Sequence, residues 1–211
     1  MVDFTLSGDG VARDGSARSR PVLHNAKDLI AMLRIILTHG LIAGLVTIAG
    51  IIGTIVWNGD APHANMWLGY LIMFVALSAI LVGIKQYRDQ ALGGVISFWR
   101  AVQVGLGIAV IAGLAYVLVW EAYLALTNYT FMERYVATTL EAKRAAGVTG
   151  AAYDKVAKEM QGMVEMYRNP LLRMPMTFAE IFPVGLLVTL VSAALLRNPR
   201  FLPARSRPLQ A

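Results

Sequence analysis

The residues best suited to chemistry are two glutamates and a histidine near the ends of apolar segments. Glu121 and Glu180 each lie close to one end of such a segment, and His63 lies near Asp60 in a short loop at a similar predicted depth. Carboxylates and imidazoles can bind a metal ion or exchange protons in catalysis. Their spacing matches no known ligand pattern, however, and Glu180 has capping-box spacing from Thr177 at the predicted start of a helix. We therefore expect helix-end electrostatic roles for both glutamates, and we predict no catalytic, cofactor-binding or metal site.

The composition argues against an ordinary soluble domain. Of 211 residues, 57% are hydrophobic and 15% are charged, whereas soluble domains average about 45–50% apolar and about 25% charged residues. A single soluble core of this size cannot bury that excess, but a lipid bilayer can accommodate it. The net charge of +6 comes from basic residues that flank the apolar segments, as is usual in membrane proteins. We therefore expect the lipid bilayer, and no nucleic acid, as a partner.

Four apolar segments approach the roughly 20 residues that a membrane-spanning helix needs. They are residues 35–57, 66–84, 101–126 and 178–196. The predicted fold class is an all-α membrane protein with four transmembrane helices and an extracytoplasmic helical hairpin between the third and the fourth. The predicted divisions are a flexible cytoplasmic arm (1–33), the first three transmembrane helices (34–126), the outer hairpin (127–176), the fourth transmembrane helix (177–197) and a cytoplasmic tail (198–211).

The lysines and arginines of the short loops predict the orientation. Five lie before residue 35, three in the loop 85–100, four in residues 197–211 and none in the loop 58–65. Short cytoplasmic loops are enriched in these residues, whereas long translocated segments largely escape the rule. We therefore predict that both termini are cytoplasmic and that segment 127–175 lies outside.

The outer segment contains one clear amphipathic pattern. Its apolar residues recur at steps of three and four, which is typical of one face of a helix; they are Tyr153, Val156, Ala157, Met160, Met163, Val164 and Tyr167. An earlier helix is indicated by Met132, Val136 and Leu140, and Gly147 would end it. Two such helices predict an antiparallel hairpin.

The loop between the second and third segments carries small, aromatic and basic residues. They are Gly83, Tyr87, Arg88, Gly93, Gly94, Ser97 and Phe98. Gly93 and Gly94 permit a turn, Ser97 can cap the following helix, and Arg88 is expected to meet lipid phosphate in the headgroup layer. The loop is interpreted mainly as a clamp that fixes topology, and the alternative is a loop that binds a partner.

Together with Ile84, Ile96, Ala101 and Gly105, this run resembles the uncharacterised bacterial membrane-protein family catalogued as domain of unknown function 4199. The resemblance covers roughly residues 34–198. It implies a four-span protein of the bacterial inner (cytoplasmic) membrane, with a charged helical insert before the last span, and it implies no activity.

The first apolar segment presents a face of small residues. It includes Gly40, Gly44, Thr47 and Gly50, and the first two have GxxxG spacing. Small residues let helices approach closely inside a membrane. We expect this face to pack within the chain, with a homodimer through the same face as the alternative.

Three functions remain open. The preferred one is a non-enzymatic scaffold or accessory subunit that presents the outer hairpin to a protein partner, because the central layers of the four segments contain no ionisable residue. A small transporter or channel component would need a polar path across the membrane. A membrane-embedded lipid-acting enzyme would need Glu121, Glu180 and His63 to converge at one interface.

Overall fold

The computed structural model describes residues 21–58 and 66–204, and within these ranges the chain is helical. The helices are α1 (Pro21–Asn58), α2 (Met66–Leu77), α3 (Ala79–Ala91), α4 (Phe98–Leu126), α5 (Phe131–Ala145), α6 (Gly150–Arg168) and α7 (Pro170–Leu196). The described residues contain no strand, so the all-α prediction is confirmed for them. Most of the predicted arm, the loop with Asp60 and His63, and residues 205–211 lie outside the described ranges.

Four helical segments are long and apolar enough to cross a membrane. They are Asp28–Trp57, Trp67–Ala91, Phe98–Leu126 and Pro170–Leu196. The second combines α2 and α3, which are separated by Ser78; its hydroxyl donates to the Val75 carbonyl at 2.5 Å, a bond that often bends a helix. Large apolar side chains such as Leu118 (68% exposed) cover the outside of the bundle. These features indicate a multi-pass membrane protein, as predicted.

The small-residue face of α1 packs against other helices of the same chain. A Cβ atom added at Gly44 would lie 2.5 Å from the Ala112 carbonyl oxygen of α4, and one at Gly40 would lie 2.6 Å from Ile111 Cβ. Farther along, Gly50 gives the same close approach to Ile72 of α2. Gly40, Gly44 and Gly50 therefore lie against other helices of the same chain.

The helix α7 begins earlier than the sequence predicted. Its start is Pro170, and the side chain of Asn169 caps it by accepting a hydrogen bond from the Leu171 amide at 3.0 Å. Thr177 is buried well inside this helix. The predicted capping box of Thr177 and Glu180 is therefore wrong, because the chain is already helical at both positions.

The α5 and α6 helices form an antiparallel hairpin. Near the connecting turn, Arg144 Nη2 donates to Tyr153 Oη at 3.1 Å. At the other end, Arg168 Nη2 contacts Glu133 Oε1 at 2.6 Å. The seven residues of the predicted stripe are the partly buried residues of α6, and all its other residues are exposed. Gly147 lies in the turn with φ +84°, so the helical pattern predicted for this segment is confirmed.

Candidate functional site

Two clusters of polar side chains lie at opposite ends of the bundle. The first, here called the Arg88 cluster, consists of Lys85, Tyr87, Arg88, Asp89 and Arg100 where α3 ends and α4 begins. The second, called the Arg173 cluster, consists of Trp120, Glu121, Tyr129, Tyr167 and Arg173 where α4 ends and α7 begins. The exposed fraction is 0% for Arg88 and 3% for Arg173. A buried guanidinium requires acceptors, so the partners of each arginine define its cluster.

Arg88 binds the segment that follows α7. Its Nη1 donates to the carbonyls of Phe201 at 3.0 Å and Leu196 at 3.5 Å, and its Nη2 donates to the Leu202 carbonyl. Its Nε donates to Asp89 Oδ1 at 2.7 Å. The expected contact between Arg88 and lipid phosphate is therefore wrong, because carbonyls of the same chain already surround the guanidinium.

The glycines and the serine of the loop shape its turn. Gly93 and Gly94 have φ of +66° and +95°, and the Gly94 amide donates to the Arg88 carbonyl at 2.9 Å. Ser97 Oγ accepts from the Arg100 amide at 3.4 Å at the start of α4. The predicted turn and the predicted cap are therefore confirmed.

The remaining residues of the loop motif are packing residues. The fully buried Tyr87 accepts a hydrogen bond at its hydroxyl from Arg100 Nη2 at 3.0 Å. A Cβ atom at Gly83 would lie 2.5 Å from Ile108 Cδ1, and Phe98 packs against the hydrophobic core. The motif thus joins α3, α4 and the segment after α7, which supports its interpretation as a clamp.

Arg173 forms a two-pronged ion pair with Glu121. Its Nε donates to Oε1 at 2.7 Å and its Nη2 to Oε2 at 2.5 Å, while its Nη1 donates to the Tyr167 carbonyl at 2.9 Å. The guanidinium carbon also lies 5.0 Å from the centre of the Tyr129 ring and 5.6 Å from that of Tyr167, within range for cation–π attraction. Bidentate pairs of this kind fix geometry as well as adding energy.

Aromatic residues extend the Arg173 cluster into the hairpin. Trp120 Nε1 donates to Tyr167 Oη at 2.6 Å, and the Trp120 ring meets the Phe131 ring edge-on, with centroids 5.0 Å apart. Burial raises the pKa of Tyr167 to about 12, so its phenol stays protonated at neutral pH. The cluster therefore connects α4, α5, α6 and α7.

The carboxylates predicted as the best chemical candidates do not share a partner. Glu121 binds Arg173, whereas the exposed Glu180 accepts a hydrogen bond of 3.5 Å from the Tyr116 hydroxyl. His63 and Asp60 lie outside the described residues. Within those residues, no group of three histidine, aspartate or glutamate side chains is placed to hold a metal ion.

Two clefts adjoin these regions. One, of about 190 Å³, lies at the base of the hairpin beside Arg173, Tyr129 and Val164. The other, of about 590 Å³, lies between α1 and α3; it is lined by Ile30, Ala31, Arg34, Ile35, Thr38, Gln86 and Gln90.

The comparison with protein families shows to which family the chain belongs. The model of the family described as "Protein of unknown function (DUF4199)" matches residues 38–198. The chain belongs to this family. No curated protein and no solved structure matches it. The match contains Arg88, Glu121 and Arg173, and it ends before Phe201 and Leu202. The resemblance of the loop motif to DUF4199 is therefore confirmed.

The sequence analysis of this DUF4199 chain did not single out Arg173, which lies inside the segment predicted to be outside the membrane. The dipeptide Asn169-Pro170 follows the predicted stripe and can end one helix, yet asparagine before proline is also a start signature, because asparagine caps well and proline suits the first helical turn. That second interpretation would have placed Arg173 in the first turn of a membrane-spanning helix, at the same end of the bundle as Glu121.

Proposed function

We propose that this DUF4199 chain is a non-enzymatic scaffold or accessory subunit of the bacterial cytoplasmic membrane. In this proposal both termini are cytoplasmic, and the α5–α6 hairpin lies outside, where it binds a protein partner. The observation that supports it best is the attachment of the hairpin through the Arg173 cluster.

The attachment restrains the base of the hairpin. Arg173 in α7 contacts Glu121 in α4, Tyr167 in α6 and Tyr129 in the turn between α4 and α5. A surface held in one orientation before binding loses less conformational entropy when a partner docks. Such pre-organisation suits a hairpin whose role is to bind a protein partner.

The outward face of α6 is polar and carries both signs of charge. Its exposed charged residues include Asp154, Lys155, Lys158, Glu159 and Glu165. Charge patterns of this kind contribute mainly to specificity and association rate in protein–protein binding. The face therefore suits recognition by a partner of complementary charge pattern.

The enzyme alternative loses one of its three required groups. Glu121 already has both carboxylate oxygens bound to Arg173, so it is not free to act as a base or a metal ligand. No specific observation favours the transporter alternative.

The orientation is tested by labelling single cysteines, since the native chain contains none. Thr149→Cys lies in the exposed turn of the hairpin, and Val95→Cys lies in the loop between α3 and α4, where Val95 is 61% exposed. In spheroplasts, an impermeant maleimide should label Thr149→Cys, and it should label Val95→Cys only after lysis. Labelling of Val95→Cys in intact spheroplasts would reverse the orientation.

The partner is tested by photo-crosslinking from the hairpin. A photoreactive residue at Lys158 should give one constant protein adduct, and the same residue at Leu118, on the outside of α4, should not. The adduct obtained from Lys158 should be lost when Lys155→Glu reverses a neighbouring charge without changing the thermal midpoint. The scaffold proposal fails if no protein adduct forms, or if the adduct is equally strong from Leu118.

A further inference from the structure

The cleft between α1 and α3 combines polar side chains from two facing helices. Arg34 and Thr38 are one helical turn apart on α1, and Gln86 and Gln90 are one turn apart on α3. Because residues four apart share a helix face, each helix contributes two polar groups to the same space. Ile30 and Ile35 line the apolar part of the wall.

The length of α1 indicates the depth of this cleft. The helix has 38 residues, which corresponds to about 57 Å, whereas the hydrocarbon core of a bilayer is roughly 30 Å thick and needs about 20 helical residues. Counting that number back from Trp57 reaches Thr38. Arg34 is one turn farther, so it lies in the headgroup layer at the end of the bundle that carries the loop 92–97.

Arg34 differs from the two buried arginines because its charge is uncompensated. Its guanidinium has no hydrogen bond or ion pair among the described residues, and no carboxylate lines the cleft. The nearby Lys85 is paired with Asp89 at 2.5 Å. The cleft therefore carries one positive charge that an external anion can approach.

The two glutamines add neutral donors. Gln86 Nε2 donates to Gln90 Oε1 at 3.3 Å. The side-chain nitrogen of Gln90 has no acceptor among the described residues, so it can donate to a ligand. Beside Arg34, Leu33, Leu37 and Leu41 form an exposed apolar row on α1, each between 47% and 48% exposed. A cation and amide donors at headgroup depth next to an apolar row match the two parts of a phospholipid.

We propose that the α1–α3 cleft is a binding site for an anionic phospholipid. Arg34 pairs with the phosphate, Gln90 donates to a phosphate or glycerol oxygen, and the acyl chains run along the leucine row. A zwitterionic lipid is disfavoured because the lining offers no carboxylate to the positively charged ammonium of its headgroup. The site does not depend on the hairpin or on which side of the membrane this end faces.

The test uses the full-length chain in a mild detergent with added lipid. Phosphatidylglycerol should raise the thermal midpoint saturably and remain bound in native mass spectrometry, whereas phosphatidylcholine should do neither. Arg34→Gln should weaken phosphatidylglycerol binding roughly tenfold to a hundredfold, as expected when a charge-assisted hydrogen bond is removed. Gln90→Leu should weaken it by a smaller factor. Both residues are exposed, so both variants should fold.

Arg197→Gln is the matched control, because Arg197 is an exposed arginine at the same end of the bundle but outside the cleft. It should bind phosphatidylglycerol as the wild type does. Equal loss in Arg34→Gln and Arg197→Gln would overturn the proposal, since binding would then follow total charge. An equal response to phosphatidylcholine would also overturn it. So would saturation by inorganic phosphate or glycerol phosphate alone, which would identify a soluble anion as the ligand.

Discussion

The two buried arginines differ in the acceptors that stabilise them. Arg88 donates mainly to neutral carbonyls, and its carboxylate partner Asp89 is the next residue on its own helix. Arg173 depends on Glu121, which lies 52 positions earlier in the chain and on another helix.

Each arginine also contacts a residue with an unfavourable left-handed backbone, Leu202 (φ +48°) for Arg88 and Tyr129 (φ +55°) for Arg173. Non-glycine residues rarely adopt this conformation without support from their surroundings.

This difference predicts how the stability of each end of the bundle should respond to substitutions. A counter-charge from a distant helix makes two elements depend on each other, because loss of one partner leaves the other charge buried and unpaired. A local counter-charge combined with several carbonyls is more redundant. We therefore expect the Arg173 end to be sensitive to single substitutions and the Arg88 end to tolerate the loss of its carboxylate.

The largest expected effect is that of Glu121→Gln. The side chains of Arg173 and Glu121 are only 4% and 14% exposed, so the substitution should lower the free energy of unfolding by about 3–5 kcal/mol. Glu180→Gln is the control and should change it little, because Glu180 makes one long hydrogen bond to a neutral hydroxyl rather than a two-pronged ion pair. In unfolding measurements with Arg173→Gln, the double variant should lose much less than the sum of the single losses. Strict additivity would contradict the mutual dependence of the pair.

A substitution midway between the two ends should destabilise both. Gly44→Ala places a methyl group 2.5 Å from a backbone carbonyl, which we expect to lower the free energy of unfolding by about 1–3 kcal/mol. Gly53→Ala is the matched control on the same helix, since nothing lies within 4 Å of its added Cβ, and alanine favours helix over glycine. The thermal midpoint in detergent measures both. A loss in Gly53→Ala as large as in Gly44→Ala would mean that close helix contact is not the cause.

A smaller effect is expected from Asp89→Asn at the Arg88 end. The amide oxygen can still accept from Arg88 Nε, and the carbonyls remain, so the free energy of unfolding should fall by only about 1–2 kcal/mol, the size of a weakened hydrogen bond to a charged group. Comparison with Glu121→Gln in the same unfolding assay tests the contrast between the ends directly. If the two substitutions cost the same, the distinction between local and distant counter-charges is wrong.

The smallest global effect is expected within the hairpin. Met160→Asp puts a charge into the half-buried stripe and should open α5 and α6 to protease, while the thermal midpoint of the bundle changes little. Lys158→Asp, on the exposed face, should leave protease resistance unchanged. Limited proteolysis followed by mass mapping measures both. Global unfolding caused by Met160→Asp would show that the hairpin is required for the bundle, rather than attached to it.

Features set by local periodicity were predictable from the sequence. The α6 stripe follows from residues three and four apart, and the close packing at Gly40 and Gly44 follows from their size and spacing. The helix pattern of the hairpin was therefore correct down to individual residues.

Features set by long-range contacts were not predictable in the same way. The carbonyl partners of Arg88 lie 108 to 114 positions away, so the sequence around Arg88 offers only the generic expectation of a headgroup contact. The start of α7 was missed for another reason, since two cap-like signals competed and the one at Thr177 lay closer to the apolar segment. Because the start of α7 was placed too late, the ion pair between Arg173 and Glu121 was also missed.

The distance in sequence between Arg88 and its acceptors has a consequence for biosynthesis. Residues leave the ribosome in order, so α3 enters the membrane well before Leu196, Phe201 and Leu202 have been made. Until then the Arg88 guanidinium lacks its carbonyl partners and has Asp89 as its main compensation. Because burying a guanidinium without acceptors is costly, chains that stop before residue 196 should be less stable and more open to protease than the full-length chain. A late step of synthesis therefore completes the environment of a residue that was made more than 100 positions earlier.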